Sequence, residues 1–293
     1  MAATAEGVGA KDEYAELEDV RLHYVEAGEG PLVVLLHGFP DFWYSWRNQI
    51  PVLARERLRV VAPDMRGYNL SDKPRGVDAY SIDRLTKDVS ELIEHLGADT
   101  AHVVGHDWGA IVGWFFAMDH PTRLDRLGII NVPHPSRFID MARSPVQALR
   151  SWYVAFFQVP ALPEAMISAA DFYALRRVFR TEPSAQEAFD EGDIDAYVEA
   201  ARRSDNLRGP INYYRALSRR NPLELRRDDR RRIDHEVLVL WGEQDAALGS
   251  KFAEPDGDLV PNARVVRFPE AGHWAHIEQP DEINRDLVAF LTG

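Results

Sequence analysis

Hydrophobic positions over residues 1–132 fall into two alternating rhythms. Leu32-Val33-Val34-Leu35-Leu36 is an unbroken apolar run of strand length, closed by His37-Gly38-Phe39-Pro40. Leu58 to Ala62 is a second, closed by Pro63-Asp64-Met65-Arg66-Gly67. Unbroken runs suit strands covered on both faces. Between Ser81 and Leu96 the period changes. Ile82, Leu85, Val89, Leu92, Ile93 and Leu96 recur at helical spacing, with Ser81 as N-cap and Gly97 as the stop. Ala101 to Val104 is another strand, Ala110 to Ala117 an apolar helix, and Leu127 to Val132 a further strand. Short strands alternating with helices predict an α/β fold built on a mostly parallel sheet, with right-handed crossovers and helices on both faces.

This rhythm stops at Pro133. From Pro133 to Asn221 the chain reads as helical and polar, punctuated by Pro135, Pro145, Pro160, Pro163, Pro183 and Pro210, with no strand pattern. Strand signals return at Val237-Leu238-Val239-Leu240-Trp241 and at Arg264 to Phe268, and a helix from Pro280 to Leu291 follows. The expected organisation is therefore a first core part (1–132), an inserted helical cap (133–221) and a second core part (222–293). Arg226 to Arg232 is a charge run, read as a solvated face.

Composition adds mainly exclusions. The 293 residues, 45% of them hydrophobic, suit one large core with an insertion. No cysteine is present, which removes disulfides, thiol catalysis and Cys-ligated metals. Met1 to Ala10 lack the basic start and apolar run of a secretory signal, and no apolar stretch approaches the roughly 20 residues that span a bilayer. A cytoplasmic protein with no membrane partner is expected. The net charge of −13 disfavours nucleic acid as a partner. An acidic surface suits either a monomer or a homodimer.

Candidate chemistry gathers where strands end, since ligands of such sheets bind at the carboxyl edge. Gly105-His106-Asp107-Trp108-Gly109 joins a strand to an apolar helix and has the frame of a nucleophile elbow, with Asp where Ser is usual. A carboxylate attacking an acyl carbon gives a reactive anhydride. Attacking a saturated carbon, it gives an ordinary ester that water can cleave. Asp107 thus points to alkyl transfer, by opening an epoxide or displacing a halide. The helix N-terminus favours the anion that attacks. Asp245 follows the strand 237–241, and His273 follows the strand 264–268, in the chain order nucleophile, acid, histidine. His273 would activate the water that cleaves the ester, and Asp245 would orient its ring. Backbone N–H groups of Phe39 and Trp108 would form the oxyanion hole. Taken alone, Asp107 could equally be a helix N-cap. His106 and His134 are read as packing or hydrogen-bonding residues, and Arg66-Gly67-Tyr68 as a structural loop.

Together these residues resemble the α/β-hydrolase-fold epoxide hydrolases. The resemblance runs from about residue 15 onward. His37-Gly38-Phe39-Pro40, Asp64-Met65-Arg66-Gly67-Tyr68 through Ser71, the elbow, Asp245 and Gly272-His273-Trp274 carry it. Asn69 departs from the pattern, standing where the family commonly has Gly; Asn tolerates the left-handed conformation. The resemblance implies an epoxide and water as reactants, no metal or organic cofactor, and two cap tyrosines as acids. One precedes a Phe-Gln-x-Pro stretch, which Phe157-Gln158-Val159-Pro160 matches, making it Tyr153. The other falls in Asn212-Tyr213-Tyr214-Arg215, making it Tyr214, with Tyr213 in place of the family's Trp. A neutral tyrosine, with a pKa of about 10, keeps its proton at pH 7 and can donate it. His37, Trp108, Phe156, Tyr153 and Tyr214 are expected at the substrate. Phe138, Phe157, Met166, Phe172 and Phe179 are cap residues on which substrate size would depend.

The alternatives use the same nucleophile. Haloalkane dehalogenases tend to carry Asn where this chain has Phe39, and need a second N–H donor beside Trp108. Fluoroacetate dehalogenases clamp a carboxylate with arginines where this chain has Trp108 and Ile111. They also use a His-Trp pair in the cap, where this chain has Trp152-Tyr153. A serine-type esterase is disfavoured by Asp107. A non-catalytic small-molecule receptor on the same fold would have no need of a hydrolytic base.

Overall fold

The computed structural model describes residues 3–185, 187–220 and 231–293. Eight strands form one sheet: β1 (Lys11–Glu16), β2 (Arg21–Ala27), β3 (Leu32–Leu36), β4 (Arg59–Pro63), β5 (Ala101–His106), β6 (Leu124–Ile130), β7 (Glu236–Gly242) and β8 (Ala263–Phe268). Their order is β1-β2-β4-β3-β5-β6-β7-β8. All neighbours from β4 onward run parallel, while β2 is antiparallel to both β1 and β4. The β1–β2 hairpin lies beyond the parallel runs that the hydrophobic pattern marks. Its outer strand is mostly exposed, so it carries no apolar signature.

Central strands are buried on both faces, as their unbroken apolar runs require: all five residues of β3 and all six of β5 are buried. Helices α1 (Ile50–Arg55), α2 (Ile82–His95), α3 (Trp108–Asp119), α10 (Ala275–Glu278) and α11 (Pro280–Thr292) cover the sheet. α2 buries the stripe read from the sequence and stops at Gly97, which takes the left-handed conformation with φ 73°. α3 is apolar nearly all round because it is almost wholly enclosed.

The insertion between β6 and β7 is helical among the described residues: α4 (Phe138–Arg143), α5 (Pro145–Arg150), α6 (Trp152–Phe156), α7 (Leu162–Thr181), α8 (Glu191–Arg203) and α9 (Arg208–Ser218). α7 bends at Ala169–Phe172, where Ala170, Asp171 and Phe172 adopt left-handed angles. An ion pair of 3.0 Å between Arg47 and Asp193 fastens α8 to the segment after β3. The expected boundary at residues 221–222 and residues 226–230 of the charge run lie outside the described residues, as do Met1 and Ala2. No described helix is long and apolar enough to cross a membrane.

Gly109 shows how closely β3 and α3 meet. A methyl group there would lie 2.1 Å from the Leu36 carbonyl oxygen and 2.6 Å from that of His37. Both are backbone atoms with no freedom to swing aside. Gly109→Ala is therefore expected to destabilise the fold by about 3 kcal/mol, the upper end of ordinary overpacking. A urea midpoint unchanged from the parent would contradict this.

Candidate active site

At the end of β5 the chain turns sharply into α3, and Asp107 takes φ 48° and ψ −118°. An L-residue adopts these angles only where its surroundings impose them. The carboxylate does not cap its own helix. It points across the sheet edge instead, where its Oδ1 accepts the Phe39 backbone N–H at 2.7 Å and the carboxylate also takes a backbone N–H from Trp108. Gly38 permits this approach, since a methyl group there would sit 2.5 Å from the Asp107 Cβ. Burial pushes the Asp107 pKa above the usual carboxylate value. The His273 and His106 charges and the two N–H donors oppose that rise.

Asp245 lies in the turn after β7. Its Oδ1 accepts backbone N–H groups of Ala247 (2.7 Å) and Leu248 (2.9 Å). Its Oδ2 receives His273 Nδ1–H at 2.8 Å. The other ring nitrogen, Nε2, stands 3.7 Å from Asp107 Oδ2. One imidazole therefore sits between two carboxylates. Burial alone would lower the His273 pKa. The Asp245 charge and hydrogen bond, with the Asp107 charge behind them, override burial and hold it up at about 9. Burial likewise pushes Asp245 up, but the charge and hydrogen bond of His273 leave its pKa below the ordinary value.

The histidine loop is fastened from behind. His106 Nε2–H donates to the His273 carbonyl at 2.9 Å. Trp274 donates its indole N–H to the buried Asp41 carboxylate. Glu278 accepts N–H bonds from Gly272 (3.0 Å) and Trp274 (3.1 Å), on either side of His273. The same carboxylate accepts the N–H groups of Ser184 (2.8 Å) and Ala185 (3.2 Å), in the cap segment after α7.

A cavity of about 570 Å³ lies between sheet edge and cap, with Asp107 and His273 among its walls. Tyr153 of α6 and Tyr214 of α9 line it, their rings 6.0 Å apart. Burial, reinforced by the Asp107 charge, raises both phenol pKa values, so both stay protonated. Tyr214 also receives a hydrogen bond from the Trp108 side chain. Tyr213, one step along α9, turns away and donates its hydroxyl to the Arg66 carbonyl at 2.7 Å. Helical geometry thus separates two adjacent tyrosines into one at the cavity and one in the core.

Two sequence expectations need correction. His37 does not reach the cavity. It is wholly buried, donates Nδ1–H to the Gly38 carbonyl and accepts the Met65 N–H at Nε2, tying the ends of β3 and β4 together. Trp108 does not line the cavity either, because its ring is enclosed against Tyr213 and Tyr214, which it supports. Of the cap residues linked to substrate size, Phe156, Phe157 and Met166 line the cavity, whereas Phe172 and Phe179 are buried in the core and Phe138 lies outside the lining. Asn69 has φ 35° and bonds Asp64, as a residue suited to that conformation should.

The sequence reading missed Asn131, whose side chain bonds Asp245 (2.9 Å) from the end of β6. It lies one residue beyond a strand, and strand ends are where that signal was available. Glu278 and Asp41 were also missed; nothing in their local sequence marks them. Arg150 and Glu182 place charged side chains on the cavity wall, among mainly apolar neighbours.

The fold has known counterparts. A family model described as alpha/beta hydrolase fold matches residues 31–280. Epoxide hydrolase 4 of Mus musculus is 38% identical over 95% of this chain and 79% of its own length. The AB hydrolase superfamily protein YfhM of Bacillus subtilis is 37% identical over 97% of this chain and 99% of its own. The crystal structure of Bacillus megaterium epoxide hydrolase in complex with an inhibitor superposes with a TM-score of 0.87 at 32% identity, covering 96% of this chain and 100% of that one. Epoxide Hydrolase A from Mycobacterium thermoresistibile gives 0.85 at 32% identity, covering 97% and 98%. The chain belongs to the α/β-hydrolase-fold epoxide hydrolase family.

The His273 environment yields a direct prediction. Asp245→Asn removes the charge that most raises the imidazole pKa and leaves burial opposed mainly by Asp107. The ring should then titrate well below its present midpoint of about 9, read by NMR of the imidazole carbons. An unmoved midpoint would mean that Asp245 does not govern the ring.

Proposed function

We propose that this protein is an epoxide hydrolase that opens an epoxide to a vicinal diol through an ester on Asp107. The observation that carries the reading is one cavity with an anionic nucleophile and a histidine at the sheet edge and two protonated phenols on the cap side. An oxirane needs both: a carboxylate to attack carbon, and acids to receive the oxygen as the ring breaks.

In the first step an Asp107 oxygen bonds to an oxirane carbon and the C–O bond breaks. The electron pair goes to the departing oxygen, which takes a proton from Tyr153 or Tyr214. Asp107 becomes a neutral ester. His273 thereby loses one of the two anions that held its proton, so its pKa falls. The proton it releases restores the tyrosine by way of solvent. Neutral His273, oriented by Asp245, then takes a proton from water, and the hydroxide attacks the ester carbonyl carbon. Phe39 and Trp108 N–H groups, which hold the resting carboxylate, receive the oxyanion. The intermediate collapses, the diol oxygen takes the proton from His273, and the Asp107 carboxylic acid passes its own proton to the imidazole, restoring the resting pair. The nucleophile's own charge thus keeps the base protonated until the ester exists.

Mainly apolar walls and a volume several times that of a small oxirane suit bulky, largely apolar epoxides. The alternatives draw less support. The positions of the haloacid clamp are Trp108 and Ile111, neither of which can pair with a carboxylate.

Incubation with aryl epoxides, small haloalkanes and fluoroacetate tests the reading: diol from the epoxides is expected, and halide without diol would overturn it. His273→Gln should trap the ester as added mass on the Asp107 peptide. Replacing both Tyr153 and Tyr214 with Phe should slow ester formation by about 10²–10⁴-fold, the usual worth of general acid catalysis. In the parent, ester hydrolysis should rise with pH through a midpoint below the resting His273 value of about 9, seen by single-turnover mass spectrometry. A midpoint at or above that value would sink the proposed release of the proton on alkylation.

A further inference from the structure

Asn131 follows β6 with φ 53°, a left-handed conformation that Asn tolerates far better than most side chains. It is wholly buried. Its amide meets three separate pieces of the site. Oδ1 accepts the Gly242 N–H at 2.9 Å, and Nδ2 reaches the Gly242 carbonyl (3.3 Å), the Gly272 carbonyl (3.2 Å) and Asp245 Oδ2 (2.9 Å). This pattern fixes the amide orientation, since a flipped group would set its oxygen against three acceptors. Gly242 and Gly272 are in backbone contact, and a methyl group on Gly242 would lie 2.1 Å from the Gly272 oxygen. Asn131 therefore joins the turn that carries Asp245 to the loop that carries His273.

Its shortest Nδ2 contact is to the same carboxylate oxygen that His273 Nδ1–H uses. We infer that Asn131 is a positioning residue for ester hydrolysis, sharing Asp245 Oδ2 with His273 so that the carboxylate orients the imidazole without binding its proton too tightly. The inference rests on the proposed roles of Asp107, Asp245 and His273.

With the Asn131 donor removed, Oδ2 would concentrate more charge toward the ring and hold the imidazolium more firmly. Other groups facing His273 stay in place. They are Asp107 at the elbow, Asp41 after β3, His106 of β5, His276 of α10 and Tyr153 of the cap, with the Glu278 carboxylate at the flanking N–H groups. None of them bonds the Asp245 carboxylate, so none substitutes for Asn131.

Asn131→Gly tests this, because glycine accepts the left-handed backbone and removes the side chain with all its bonds to Asp245, Gly242 and Gly272. Ester formation and ester hydrolysis are timed separately across pH with an aryl epoxide, by quenched mass spectrometry of the Asp107 peptide. The expected result is alkylation within about threefold of the parent. The acid limb of hydrolysis should move up by about one pH unit, which is about tenfold less neutral imidazole at a given pH. A thermal melt checks folding. Should the glycine variant not fold, Asn131→Asp keeps the shape and places a second acceptor at Oδ2. It should shift the same limb in the same direction. Equal slowing of both steps with an unmoved limb, or no change in either, would overturn the inference. If the parent forms no ester at all, the function reading itself falls.

Discussion

Two carboxylates, Asp245 buried and Asp107 at the cavity wall, share one imidazole, and the rest of the structure is arranged to make that tolerable. Burying ions is expensive unless each is paired and its remaining lone pairs are met. Here Asp245 is met by four donors and Asp107 by two backbone N–H groups in addition to the nearby ring. The donors come from five segments at the carboxyl edge of the sheet, those after β3, β5, β6, β7 and β8. The strands must therefore be in register for the charges to be stable, and the charges reward that register.

How much of this was legible in the sequence follows from how local each signal is. The elbow is five consecutive residues between a strand and a helix, so Asp107 announced itself. His273 and Asp245 were legible because they follow strands whose apolar runs are unbroken. The β1–β2 hairpin was not, since an exposed edge strand lacks a hydrophobic pattern. Asn131 offered only its place one residue past a strand. Its importance lies in contacts with residues 114 and 141 positions away, and no window of sequence contains both ends. His37 follows a strand, as Asp245 and His273 do, and was expected at the substrate; only the tertiary structure shows its two nitrogens spent on Gly38 and Met65.

The cap supplies what the sheet edge cannot. Backbone N–H groups stabilise negative charge but hold their protons, so in the proposed mechanism the acids are side chains facing the carboxylate across the cavity. Tyr153 and Tyr214 sit on different helices, α6 and α9, and both feel the Asp107 charge. Trp108 links the two layers, its backbone at Asp107 and its indole at Tyr214. Tyr213 anchors α9 to the loop after β4. Rotating α9 by one residue would exchange a cavity phenol for a core phenol, and the Tyr213 anchor opposes that slip.

Glu278 gives the cap a second hold on the chemistry. Its carboxylate gathers the N–H groups of Ser184 and Ala185 together with those on both sides of His273. Of α5 and α6, which form another part of the cavity wall, Gln147 and Arg150 bond the turn that carries Asp245, whereas Leu149, Trp152 and Phe156 have no such attachment among the described residues. Variation at those three apolar positions changes the shape of the cavity while leaving Tyr153 and the Asp245 turn in place. The segment around residues 184–185 is different, because Glu278 ties it directly to the N–H groups on either side of His273. The scaffold thus has a permissive side and a constrained side, and a library meant to broaden its repertoire belongs on the first.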